Sequence, residues 1–299
     1  MCSIRILLRQ LHIQFNAWLS KPHVWAGLLL GVSLAFYPTF SLIELANNRG
    51  AYINVLEAFV IIGSSRNYCM FTLLGVLVML SDAPFIDDMN IYVSLRVTRR
   101  TWFVSKFVYV LMSCMLFYLA VMIATVLLCA PVGYVDNVWS KTMLELLKNE
   151  NLKFEYGLAI DNELLLVRFT PISAALLTFA LQSMYTAILA ELMFLLNMKR
   201  NKAVGVFAAL IIHAVGSWII SETIMFNQML TLLGHSMLGY HNLALRGFPD
   251  VLAWLSFLCS RYATLEESIV LFAVILLIEL LTGLKRVRSM RFKVPNRDI

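Results

Sequence analysis

Apolar residues fall into blocks separated by short stretches that carry nearly all the charge. Five blocks are long enough to cross a bilayer as helices: Val24 to Ile43, Phe103 to Ala130, Pro171 to Asn197, Ala203 to Ile220 and Ile269 to Leu284. A hydrocarbon core of about 30 Å needs about 20 mostly apolar helical residues. A sixth block, Tyr68 to Ser81, is shorter, and Pro84 stops it. The pattern predicts an all-α integral membrane protein with about six transmembrane helices. A further apolar piece, Asn54 to Ile62, precedes the short block and reads as an interfacial or re-entrant segment.

The intervening stretches divide one membrane domain, residues 1–299, into parts. In residues 1–23 polar residues interrupt apolar ones at helical spacing, which predicts an amphipathic helix on the membrane surface rather than a signal core. Residues 82–102 form a compact charged turn. Residues 131–170 form a long loop in which WSKTMLELLKNENLKFEY reads as an amphipathic surface helix, with Leu144 and Leu147 on its apolar side. Residues 225–262 are too polar to span yet contain MLTLLG and VLAWLSFL, as outer re-entrant or interfacial helices before the last span would. Residues 285–299 are a basic tail. Two thirds of the 24 basic residues lie at the N-terminus, in the 82–102 turn, near 199–202 and in the tail. The positive-inside rule makes that side cytoplasmic, with both termini inside and the cell membrane as the location.

Composition narrows the function classes. Only 14% of residues are charged and 60% are hydrophobic, with a mean hydropathy of +0.78; a soluble domain carries roughly 25% charged residues. The net charge of +6 is spread between apolar blocks, which fits an anionic membrane surface and not nucleic acid. No Gly-Lys dipeptide occurs, so the chain has no P-loop for ATP, and HExxH is absent. Gly234-His235-Ser236-Met237-Leu238 lacks the final glycine of a nucleophile elbow. No catalytic residue is therefore expected. The five cysteines show no regular spacing; Cys129 and Cys259 both fall toward the outer side, where pairing is neither required nor excluded.

Ionisable groups inside a membrane are costly and mark function by default. Glu191 and His213 are therefore candidates for a translocation path. Glu191 stands about 9 Å from the cytoplasmic end of its helix, within reach of Lys199 or Arg200 or of a wet cavity. His213 near mid-span is expected to be neutral and bonded to a backbone carbonyl. Glu279 is expected to pair with the basic tail. None has a second metal ligand at helical spacing, so no metal is expected. Gly27 and Gly31 form a GxxxG that lets helices pack closely, within the chain or across a dimer.

The most informative stretch is Ser81 to Tyr109. Pro84 breaks the second span. Asp82, Asp87 and Asp88 follow around a short helix with Phe85, Ile86, Ile91 and Tyr92 as apolar anchors. Arg96, Arg99, Arg100 and Lys106 then crowd the start of the third span. A plain connector does not need acid, aromatic and base in one block; a docking knob for a cytosolic partner does.

Ser81-Asp82-x-Pro84-Phe85 followed by Arg96-x-x-Arg99-Arg100-x-Trp102-x-x-x-Lys106 resembles the loop between the second and third helices of ABC-2 type (type V exporter-like) permeases of bacterial ABC transporters. Phe169-Thr170-Pro171, Asn197-x-x-x-Asn201-Lys202-x-x-Gly205 and Trp254-Leu255-Ser256 are similar to other parts of that family. The resemblance implies a permease subunit that exports a hydrophobic or amphipathic cargo, such as a peptide, antibiotic or lipid-like molecule. It implies a coupling helix, residues Pro84 to Tyr92 with Arg96, Arg99 and Arg100, that docks on a separate cytosolic ATPase. It also implies a second permease subunit, identical or different, and ATP and Mg held by the partner rather than by this chain. Two other readings compete. Glu266-Glu267 is similar to the paired acids of CAAX-type intramembrane proteases, although Leu271 stands where an arginine belongs. A peptide-sensing or immunity protein that does not transport is the other.

Overall fold

The computed structural model describes residues 4–83, 97–158, 164–198, 202–221, 230–241 and 264–289. Helices form nearly all of it, with a single two-stranded pairing. The chain runs α1 (Ile4–Trp18), α2 (Pro22–Arg49), β1 (Ile53–Asn54), α3 (Glu57–Ser64), α4 (Arg66–Met79), α5 (Arg99–Cys129), β2 (Gly133–Tyr134), α6 (Lys141–Lys148), α7 (Glu150–Tyr156), α8 (Leu164–Arg168), α9 (Pro171–Asn197), α10 (Lys202–Ser221), α11 (Leu232–Ser236), a 3-10 turn (Leu238–Tyr240) and α12 (Leu265–Ser289). Five helices, α2, α5, α9, α10 and α12, are long and apolar enough to span. The bent pair α3–α4 makes a sixth crossing if counted as one span. This is an all-α, multi-pass membrane protein.

The spans start and stop where local chemistry dictates. Pro22 and Pro171 occupy the first helical turns of α2 and α9, where a missing N–H costs nothing. α2 runs on past the expected Ile43 to Arg49. It ends because Gly50 takes a left-handed conformation (φ 59°), with Gly50 N donating to Asn47 O and Ala51 N to Ala46 O. Thr98 caps α5 by accepting from Thr101 N at 3.3 Å. At 31 residues α5 is about 46 Å long, more than the roughly 30 Å of hydrocarbon, so it projects beyond the membrane.

Helix α9 is the centre of the bundle: 72% of its most apolar stretch is buried within the protein, against 22% for α12. α2 lies against α4 at close range, because a methyl on Gly27 would come within 2.5 Å of the Gly75 carbonyl oxygen. The Phe117 ring of α5 fills the space beside Gly31. Both glycines of the GxxxG thus serve packing inside one chain.

Asn54 to Ile62, expected as an interfacial or re-entrant segment, is enclosed by protein: all eight residues of α3 are buried, and α3 meets α4 at a 91° bend, the geometry of a broken span or a re-entrant loop. Glu57 opens α3 with no exposure, and its carboxyl accepts from Ser140 N and Ser140 Oγ, both at 2.7 Å, and from Asn54 N at 3.2 Å. These bonds, with the parallel β1–β2 pairing (Ile53 opposite Gly133), tie the 131–140 loop to the bend. The amphipathic helix expected in that loop is present as α6 and α7, but its inward face is Met143, Leu146 and Leu147, while Leu144 points out. α1 is amphipathic as expected. Leu7, Leu11, Phe15 and Trp18 turn inward toward α5, and Ile4, Ile6, Leu8 and Ile13 are exposed.

The expected re-entrant element is partly described. α11 and its 3-10 turn sit buried among α9, α10 and α12; residues 225–229 and 242–262, with Trp254 and Cys259, lie outside the described residues. Gln182 of α9 anchors this element. Its Nε2 donates to Gly63 O at the end of α3 (2.9 Å) and lies 3.2 Å from Ser236 O of α11. Gln182 stands 11 residues, about 17 Å, into α9 from Pro171, so α11 reaches roughly mid-bilayer depth. Gln182→Leu is expected to cost about 1–2 kcal/mol, because two carbonyls lose their shared donor in an apolar setting. Thermal unfolding in detergent should show a lowered midpoint; an unchanged midpoint would contradict this role.

Candidate functional site

Of the residues singled out from sequence, Asp82, Arg99 and Arg100 lie at the end of the bundle that carries Lys285, Arg286 and Arg288. Pro84, Phe85, Ile86, Asp87, Asp88, Ile91, Tyr92 and Arg96 lie outside the described residues, but both flanks of that segment are defined. On the upstream flank, Asp82 pairs with Lys21 Nζ from the α1–α2 junction, and His23 Nε2 lies 3.4 Å from its other oxygen. The next carbonyl, Ala83 O, accepts from Asn197 Nδ2 at the end of α9 (3.3 Å). On the downstream flank, Thr98 caps α5, Arg99 and Arg100 are exposed, and Arg99 Nη1 donates to Arg288 O of α12 at 3.1 Å. The two described flanks, Asp82–Ala83 and Thr98–Arg99, are therefore held by the start of α2, by α9 and by α12.

Asn197 also joins α9 to α10. Its Oδ1 accepts from Gly205 N at 2.9 Å, and a side chain at 205 would collide with that same oxygen. Arg286 closes the other side, with Nη1 donating to Leu195 O at 2.7 Å. Lys106, about two turns inside α5, is 2% exposed and lies 6.0 Å above the Tyr109 ring. The basic end is a cross-linked platform in which one asparagine holds both the upstream flank and the α9–α10 turn.

Glu191 and His213 do not converge. They point from α9 and α10 in different directions. His213 Nδ1 lies 2.8 Å from Tyr185 Oη, so its partner is a tyrosine hydroxyl rather than the expected backbone carbonyl. Tyr185 and Glu191 are six residues apart, which places them on different faces of α9. Glu191 has no exposure, and neither carboxyl oxygen has a hydrogen-bond partner among the described residues. Glu279 of α12 lies close enough across the α9–α12 seam to interact with it electrostatically. Lys199 and Arg200 lie outside the described residues. Glu279 Oε2 likewise has no partner among the described residues, so the expected pairing with the tail is not seen in the described part. Phe103 stacks on Phe194 at 5.7 Å and fills the space beside Gly283, between these acids and the basic end.

The residues behind the competing readings have local duties. Glu267 closes a capping box with Thr264: Thr264 N donates to Glu267 Oε2 at 2.8 Å, and Glu267 N to Thr264 Oγ1 at 3.4 Å. Ser236 Oγ donates to Leu233 O at 2.8 Å. Among the described residues, no group of three His, Cys, Asp or Glu side chains could hold a metal.

Three polar features escaped the sequence reading. Gln182 is uncharged, so a search for ionisable groups passes over it. Ser268 joins two buried histidines, His235 Nδ1 at 2.7 Å and His241 Nε2 at 2.8 Å, and fastens α11 and its 3-10 turn to α12. Arg66 follows an apolar piece in sequence, and in the fold it begins α4, partly buried beside Ser217 of α10. Asn197→Ala is expected to release both Ala83 and Gly205, raising hydrogen–deuterium exchange several-fold at residues 202–206 while leaving α2 unchanged; equal exchange in the variant would contradict the clamp.

No family model, curated protein or solved structure matches the chain.

Proposed function

We propose that this protein is the membrane-spanning half of an ABC-2 type transporter, exporting an amphipathic cargo with ATP and Mg held by a separate cytosolic ATPase. The observation that carries the reading is the anchoring of residues 84–96. The two flanks of this sequence block of acid, aromatic and base are tied through Asp82, Ala83 and Arg99 to the start of α2, to α9 and to α12. A push on such a segment is delivered to several helices at once, as a transmission element requires.

In this account the basic end faces the cytoplasm, where lysine and arginine accumulate. Closure of two ATPase subunits on ATP moves the segment, and the tied helices rock as a body. α11, the inserted element between α10 and α12, then changes its seat against α9 on the far side. The ATPase biases a bundle with two arrangements and supplies no group to this chain's interior. Gly27 and Gly31 are committed to α4 and α5, so a second permease half uses another face. α10 offers one, with Phe207, Ile211, Val215 and Trp218 exposed along a single stripe.

Phe85→Ala together with Asp88→Ala is expected to reduce co-purification of the ATPase at least tenfold, since an aromatic anchor and a charge are lost from a small interface. Expression and membrane insertion should match the unaltered chain. Undiminished co-purification would remove the docking role from this segment.

A further inference from the structure

The bend between α3 and α4 has chemistry that the transmission account leaves unused. Ser65 breaks the helix with extended backbone (φ −99°, ψ 124°) and stands at the N-cap of α4, yet its side chain makes no capping bond. The first N–H groups of α4 therefore lack the usual side-chain acceptor, at the positive end of a 14-residue helix. Arg66 is the first residue of that helix. Its guanidinium reaches only Ser217 O, at 3.5 Å, and has no carboxylate partner among the described residues. A cavity of about 410 Å³ opens here, lined by Ser64, Ser65, Arg66, Asn67, Ser221 and Tyr240. Ser64 is 5% exposed, and its hydroxyl has no hydrogen-bond partner among the described residues.

A second cavity, of about 480 Å³, shares Ser65 and Asn67 with the first and continues along Leu34, Tyr37, Tyr68 and Phe71 between α2 and α4. Tyr37 and Phe71 are exposed on the flank of the bundle that faces lipid. Pro38 has no N–H to give the Leu34 carbonyl, so this groove also carries a polar backbone group. Among the described residues lining the two cavities none is acidic.

Depth follows from helix rise. The 14 residues of α4 place Arg66 about 21 Å from the basic end, and Lys202 to Ser217 on α10 gives about 22 Å. In a core of about 30 Å, Arg66 thus sits roughly 8–9 Å inside the opposite boundary, where lipid headgroups meet acyl chains. An arginine there without a counter-charge among the described residues is costly, most at mid-membrane and less toward the boundary. An anion supplies what is missing.

We propose that the Ser64–Asn67 bend binds the phosphate of an anionic lipid-like amphiphile, with the chain lying in the groove along Leu34, Tyr37 and Phe71. Arg66 and the α4 N-terminus hold the charge, Ser64 and Asn67 donate hydrogen bonds, and the groove admits the chain sideways from the bilayer. As a cargo site this deepens the transporter reading and rests on it; as a binding site it stands alone.

The test uses the full chain, purified without any ATPase and placed in phosphatidylcholine nanodiscs, with fluorescent phosphatidylglycerol as probe and fluorescent phosphatidylcholine as control. Phosphatidylglycerol should bind saturably and the control should not. Arg66→Gln should weaken binding at least tenfold, the loss of about 1.5–3 kcal/mol from a charged hydrogen bond. Ser64→Ala, which removes a hydroxyl without a partner and so leaves the fold intact, should weaken it several-fold. Equal binding of the two lipids, or full binding by Ser64→Ala and Arg66→Gln, overturns the proposal. Displacement of the probe by millimolar inorganic phosphate alone also overturns it, since the site would then take a free anion and owe nothing to the chain. Failure here leaves ATPase docking untouched, and loss of ATPase docking leaves this binding untouched.

Discussion

Hydrocarbon offers no hydrogen-bond partners, so every break in a helix at membrane depth must be satisfied by the protein itself. Among the described residues helix is broken inside the bilayer at Ser65 and around α11, and both breaks turn toward one side chain. Gln182 of the most enclosed helix donates to Gly63 O and lies within bonding distance of Ser236 O. A single amide thus makes two irregular segments tolerable and fixes them against each other. The α3–α4 bend and the inserted α11 are coupled by that residue, whichever of them moves.

The two ends of the bundle are tied differently. At the basic end an ion pair and buried or charge-assisted hydrogen bonds hold the flanks of a polar segment to the helices: Asp82 with Lys21 and His23, Asn197 with Ala83 and Gly205, Arg99 with Arg288 O. At the opposite end Glu57 is buried and bonded to Ser140, Ser268 joins two histidines, and the ion pairs Arg49–Glu145 and Lys153–Glu150 lie at the surface. Exposed ion pairs contribute about 0–1 kcal/mol each, so the buried hydrogen bonds hold each end more firmly than the surface charges do.

Much of this architecture was legible in the order of apolar and polar residues. Pro171 to Asn197 was bounded to the residue, because Pro171 favours the first turn and polar Asn197 closes the run. The amphipathic α1 followed from spacing alone. For Asn54 to Ile62 the sequence leaves interfacial and re-entrant placements open, because eight residues are too few for periodicity to separate a buried helix from a surface one. Orientation of Leu144 was misread because two adjacent apolar residues fit either face. For the candidate site, the Ser81–Tyr109 block stood out by its mix of charge and aromatics, and its flanks are where the helices converge. Arg66 and Gln182 were passed over for a physical reason, since their meaning lies in carbonyls and cavities that only the folded chain brings to them.

The account depends on the 84–96 segment facing the compartment where ATP is hydrolysed. A single cysteine introduced as Asp88→Cys, in a chain whose native cysteines are replaced, can be challenged with a membrane-impermeant maleimide in intact cells. The account requires no labelling until the membrane is permeabilised, then rapid labelling that a bound ATPase slows. Labelling from outside intact cells would contradict it.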